Sequence, residues 1–120
     1  MSSREFIKGT LRTIILKLLA QNKRMYGYEI TQRVAQLSKD EIKLTYGALY
    51  PTLYKLEAEG LLVTTTEIVD NRARKYYSLT TEGRKLAKVK VSELQRFAET
   101  LRVILSDNTK PNVSLKLWAC

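Results

Sequence analysis

The last third of the chain constrains the fold most. From Thr80 to about Ser106 there is no proline, and the one glycine, Gly83, falls in the first turn. Thr80 or Thr81 is placed to cap a helix there, and Glu82 suits its positive end. Roughly 27 residues at about 1.5 Å each make a rod of about 40 Å. A body built from about 80 preceding residues is narrower than that, so the distal half must project. Leu94, Phe97, Leu101 and Ile104 step by 3, 4 and 3, the spacing of a coiled-coil seam, and Val91, Ala98 and Leu105 flank it. Two compatible arrangements keep that seam from water. A second copy of the chain can cover it by two-fold symmetry, or the helix can fold back on the first helix.

The stretch from Lys43 to Glu82 is organised around a shorter helix and a hairpin. In Thr45–Glu59, Leu49, Leu53 and Leu56 fall at i, i+4 and i+7, one face that docks on a core. The opposite face carries Gly47, Ala48, Pro51, Tyr54 and Lys55. A merely solvated face would hold several long charged side chains, so this bare one suits close approach to another surface. Thr45 is expected as N-cap, without a reciprocal glutamate because Ala48 stands three residues on. Pro51 lacks the N–H of a helix interior, so the helix either begins nearer Tyr50 or tolerates the proline with its ring exposed. Gly60 stops the helix. Val63–Val69 then reads as a strand, Asp70-Asn71 as a turn and Lys75–Leu79 as the return strand. Arg72, Arg74 and Lys75 gather three cations near that turn, which repel one another unless an anion faces them; the plainer alternative is an ordinary polar hairpin tip.

Two helices precede this stretch. Ile7, Leu11, Ile14, Ile15 and Leu18 predict one helix over 5–21, with Arg4, Lys8 and Arg12 as a basic stripe that is either solvated or phosphate-binding. Tyr26, Ile30, Val34 and Leu37 predict a second over about 26–37, with Gly27 marking a close approach. Ile42–Leu44 is a candidate short strand against the wing.

Tyr26-Gly27-Tyr28-Glu29-Ile30, the run Gly47–Leu61 and the run Arg72–Gly83 occur in the order and separation seen in the PadR family of bacterial transcriptional regulators, which the chain resembles over about residues 5 to 105. The resemblance implies a fold that is mainly α with a small antiparallel β wing: a winged helix-turn-helix followed by a long C-terminal dimerisation helix. It divides the chain into a DNA-binding domain at 1–79, a dimerisation helix at 80–106 and a tail at 107–120. It implies a homodimer on an inverted-repeat operator in double-stranded DNA, usually repressing and often released by a small molecule. In the family the second helix crosses the DNA backbone, which makes Tyr28 a phosphate-contact candidate; the alternative is a buried tyrosine with a satisfied hydroxyl. The groove-facing set is then Thr45, Gly47, Ala48, Tyr50, Pro51, Tyr54 and Lys55, and the wing set is Asn71, Arg72, Arg74 and Lys75. Leu94, Phe97, Leu101, Ile104 and Leu105 are the dimerisation set. Some relatives hold flat aromatic molecules with a tryptophan on the last helix, where an ungapped alignment from Gly83 puts Leu94 here. A stacking clamp is therefore not expected, and the expected effector is a small apolar one at the dimer interface.

Charge and composition fit that picture and narrow the rest. A net charge of +9 favours a polyanionic partner. Residues 46–60 nonetheless come to −1 (Lys55 against Glu57 and Glu59), so the wing and the first helix must be the main electrostatic anchor if DNA is the ligand. The absence of histidine removes imidazole-based triads and metal sites. No cofactor, metal or enzyme activity is expected. One cysteine, Cys120, allows no disulfide within the chain and fits a reducing cytoplasm. No apolar run is long enough to span a membrane. The rival function is a winged-helix module that docks on protein instead of DNA. Val113–Trp118 alternates apolar and polar residues and suits a short docked strand.

Overall fold

Leucine spacing selects the core. The structure is a computed structural model that describes residues 4–107; the expectation for Val113–Trp118 lies outside them. Along the chain come α1 (Arg4–Lys8), α2 (Leu11–Gln21), β1 (Met25–Tyr26), α3 (Gly27–Leu37), α4 (Tyr46–Ala58), β2 (Leu62–Val69), β3 (Arg72–Leu79) and α5 (Thr81–Leu105). Leu11, Ile15, Leu18 and Leu19 of α2, Ile30 and Val34 of α3, and Leu49, Leu53 and Leu56 of α4 meet in one core closed by Leu62, Tyr77 and Leu79 from the sheet. Fully burying each such side chain contributes about 1.5–3 kcal/mol.

The single helix expected over 5–21 is broken into α1 and α2. Gly9 is a poor helix former, and the Thr10 hydroxyl donates to the carbonyls of Phe6 (3.2 Å) and Ile7 (3.3 Å), closing the first piece. Ile7 and Leu11 keep their i, i+4 relation across the break, which is why the periodicity conceals it.

Helix α4 is capped as expected: the Thr45 hydroxyl accepts the Ala48 N–H at 3.2 Å. It starts before Pro51 and carries it as an exposed ring. At the other end Gly60 takes φ +78°, the Leu61 N–H reaches the Leu56 carbonyl and the Gly60 N–H the Glu57 carbonyl, both at 3.0 Å. These two bonds make a Schellman stop, with buried Leu56 and Leu61 as its apolar contact.

The three-stranded antiparallel sheet has the order β1-β3-β2. Its third strand is Met25–Tyr26, which pairs with Tyr77 and Tyr76, and not the expected Ile42–Leu44. Ile42 and Leu44 pack half-buried against the core without strand pairing. The hairpin is longer on its return side than the sequence suggests, because β3 begins at Arg72, directly after the turn. Asp70 (φ 51°) and Asn71 (φ 63°) both lie in the left-handed region, the pattern of a two-residue type I′ turn that matches strand twist.

Helix α5 is locked to the body at its start. The Thr80 hydroxyl accepts the Gly83 N–H (3.0 Å) and donates to the Gly60 carbonyl (2.7 Å), while the Thr80 N–H donates to the Leu61 carbonyl (3.0 Å). Its proximal part packs on α2, with Ala87 in the core and Leu86 against it, while Gly83 abuts Leu61; beyond Ala87 no residue of α5 is buried. The radius of gyration, 18.0 Å, exceeds the roughly 13 Å expected of a compact chain this size, as a projecting rod requires. Folding back on the first helix thus accounts for the proximal part only.

Candidate nucleic-acid interface

Spacing along α4 sorts its side chains into a buried row, an exposed face and two opposite flanks. Leu49, Leu53 and Leu56 are wholly buried. Gly47, Ala48, Pro51, Tyr54 and Lys55 are exposed, as is the cap Thr45. Tyr50, Tyr54 and Glu57 form the flank toward the wing; Ala48, Thr52, Lys55 and Glu59 form the flank toward α1 and α2.

On the wing flank, Tyr46, Tyr50 and Tyr54 stand at i, i+4 intervals with ring centres 5.6 and 6.2 Å apart. Tyr46 and Tyr54 are half exposed, but Tyr50 turns inward: a Cβ on Gly27 would lie 2.2 Å from its hydroxyl. Gly27 is thus the close approach its position suggested. Burial first, and then the neighbouring Tyr46 and Tyr54, push the Tyr50 hydroxyl pKa up. Tyr50 therefore differs from the groove-facing expectation and acts as a spacer between α3 and α4. Tyr28 is 52% exposed, so the buried alternative does not hold, and its ring stacks on Tyr26 at 6.4 Å.

The three wing cations do not cluster at the tip. Strand alternation puts Arg72 and Arg74 on one face and Lys75 on the other. Arg72 is exposed next to the turn, with Asn71 in the turn itself. The Arg74 guanidinium lies 4.2 Å from the Tyr26 ring centre. Lys75 faces α4, with Nζ 3.9 Å from the Glu57 carboxylate and 5.4 Å from the Tyr54 ring centre. Arg24 completes a ladder on the Arg74 side, lying 3.9 Å from the Tyr76 ring centre and bridging with two nitrogens to Glu67. Tyr26 and Tyr76 meet edge to face at 5.5 Å. Sequence reasoning missed this ladder; its only signal is the interleaving of Arg24 with Tyr26 and Arg74 with Tyr76.

On the other flank, Arg12 forms a two-pronged bridge to Glu59 (2.8 and 3.2 Å), and that hydrogen bonding holds the Glu59 carboxyl below its usual range. Beside the bridge opens a cleft of about 1160 Å³ between α1 and α4. On α5, Leu94 is half-buried while Phe97, Leu101, Ile104 and Leu105 are exposed, the last two by 69% and 77%. Phe6 of α1 is 69% exposed. Among the described residues no helix is long and apolar enough to cross a membrane.

Comparison with known proteins agrees with this architecture. Residues 15–89 match the family model described as the transcriptional regulator PadR-like family. A transcriptional regulator of Mycobacterium tuberculosis, Rv3488, is 43% identical over 81 residues, which cover 68% of this chain and 72% of that protein. Among solved structures, a transcriptional regulator from Clostridium thermocellum superposes with a TM-score of 0.76 at 27% identity, covering 85% of this chain and 99% of that one. A PadR family transcriptional regulator from Eggerthella lenta gives 0.71 at 27% identity, covering 87% and 88%. With a matched family model, the winged three-stranded sheet and the long last helix all in agreement, the chain belongs to the PadR-like family of transcriptional regulators.

Proposed function

We propose that this chain is a bacterial, cytoplasmic repressor that binds an inverted-repeat DNA operator as a homodimer and has no enzymatic role. The bare exposed face of α4 carries this reading: Gly47, Ala48 and Pro51 let a helix approach base edges, and Tyr54, Lys55 and the capping Thr45 bring polar groups to the same face. Tyr28, Asn71, Arg72 and Arg74 supply flanking phosphate contacts, and Lys75 braces the wing against α4 through Glu57. Phosphate contacts give affinity and register, while the few groups at base edges give discrimination.

The exposed seam of α5 pairs with its copy through Leu94, Phe97, Leu101, Ile104 and Leu105. Pairing sets two α4 helices about 34 Å apart, on successive major grooves of one duplex face. Occupancy of such a site in a promoter blocks transcription. A small apolar effector seated between the paired helices would release the duplex by altering that separation.

Electrophoretic mobility shift with the chain's own upstream region tests the proposal. A discrete complex that a random duplex does not compete away supports it. Salt-independent indifference to every duplex would favour the rival, a protein-docking module.

A further inference from the structure

Several cations around α4 are engaged. Arg12 is bridged to Glu59, Arg24 to Glu67 and Lys75 to Glu57, and Arg74 is stacked on Tyr26. Residues 46–60 themselves sum to −1 (Lys55 against Glu57 and Glu59). Others are unpaired among the described residues, and two of these stand on α1. Arg4 and Lys8 lie one turn apart on α1, both exposed, and neither has an ion-pair partner among the described residues. Together with Lys43 and Lys55 they line the 1160 Å³ cleft, to which Ala48 and Pro51 of α4's open face also contribute. Asp40 and Glu41 at its edge leave the lining net positive.

The cleft's place relative to α4 gives it a use. A helix with its side chains is about 10–12 Å across and fills a major groove about 12 Å wide, so one sugar–phosphate strand must run along each flank. The wing occupies the flank of Tyr54 and Glu57. The opposite flank, that of Ala48 and Lys55, opens into the cleft. We infer that Arg4 and Lys8 form a second phosphate clamp, gripping the strand on the side of α4 away from the wing. This rests on α4 entering the major groove as proposed above. Clamp contacts fall on phosphate alone, so they add affinity without sequence preference.

The test uses the full-length chain and a fluorescein-labelled random duplex about 30 base pairs long, enough for two half-sites a turn apart. Fluorescence anisotropy is read across a salt series for wild type, for Arg4→Ala with Lys8→Ala, and for Lys88→Ala with Arg96→Ala. The last pair makes the same charge change on exposed positions of α5. Each lost phosphate contact makes the slope of log affinity against log salt shallower by about 0.9, so the α1 pair should lose about 3–4 from the slope of a bound dimer. The α5 pair should leave the slope unchanged. A wild-type slope in the α1 variant, or an equal loss in both variants, overturns the clamp while leaving DNA binding intact. A wild type that binds no duplex in dilute buffer overturns the groove reading itself.

Discussion

Gly83→Ala should destabilise the protein although it replaces glycine with the best helix former. Gly83 lies in the first turn of α5, buried against Leu61, which follows the end of α4. A Cβ built there lies 2.1 Å from the Leu61 carbonyl oxygen and 3.0 Å from its carbon, both backbone atoms. That same oxygen accepts the Thr80 N–H at 3.0 Å, so the methyl cannot be accommodated without disturbing the junction of wing and α5. Overpacking of this kind costs about 1–3 kcal/mol, and a weakened hydrogen bond about 1 more. Helix propensity returns about 1 kcal/mol. The net is a loss of about 1–3 kcal/mol, which in a domain this size lowers Tm by roughly 5–20 °C. Urea titration followed by far-ultraviolet circular dichroism reads it directly. A variant at least as stable as wild type would mean that propensity outweighs the contact, and the close seating of α5 on Leu61 would be refuted. The seating bears on function because it fixes the direction in which α5 leaves the body, and so where a partner's α4 would stand.

Three further outcomes follow from the same geometry. Gly47→Ala meets only Thr45 Oγ1, at 4.0 Å, so melting should show a gain of up to about 1 kcal/mol while duplex affinity falls, since in the proposed complex the methyl faces the groove; affinity rising with stability would contradict that placement. Glu59 and Glu67 are held below the usual carboxylate range chiefly by hydrogen bonds to Arg12 and Arg24. Their contribution is therefore present above the unfolded carboxylate pKa of about 4.3 and lost as pH falls through the lower native values. Double replacement by glutamine should flatten the acid limb of a stability–pH curve, and an unchanged limb would show that the bridges are not formed in solution. Phe97→Asp removes two rings from the proposed symmetric interface, about 3–6 kcal/mol, so sedimentation should show dimer association weakened by two to four decades; an unaltered mass at micromolar protein would exclude the seam.

How far the sequence spoke depends on whether a feature is local. Leu49, Leu53 and Leu56 announced the buried row of α4, and Thr45 and Gly60 announced its ends, because each acts within a turn of the helix. The length of α5 was equally plain. The break at Gly9–Thr10 was hidden because the apolar spacing runs through it. The third strand was missed because Met25–Tyr26 is two residues long and held only by its register with Tyr76 and Tyr77. The ladder of Arg24, Tyr76, Tyr26 and Arg74 needs that register before its members meet, and so does the separation of Lys75 from Arg72 and Arg74. The bare face of α4 was legible as composition, but the inward turn of Tyr50 depends on a helix that is distant in sequence.

In the proposed complex two copies, joined through α5, hold one duplex on successive turns. Hydroxyl-radical footprinting on DNA selected from a random pool reads that arrangement. Two protected patches are expected on one face of the helix, about 10 base pairs apart and related by an inverted repeat. A single patch, or two patches with no dyad between them, would contradict it.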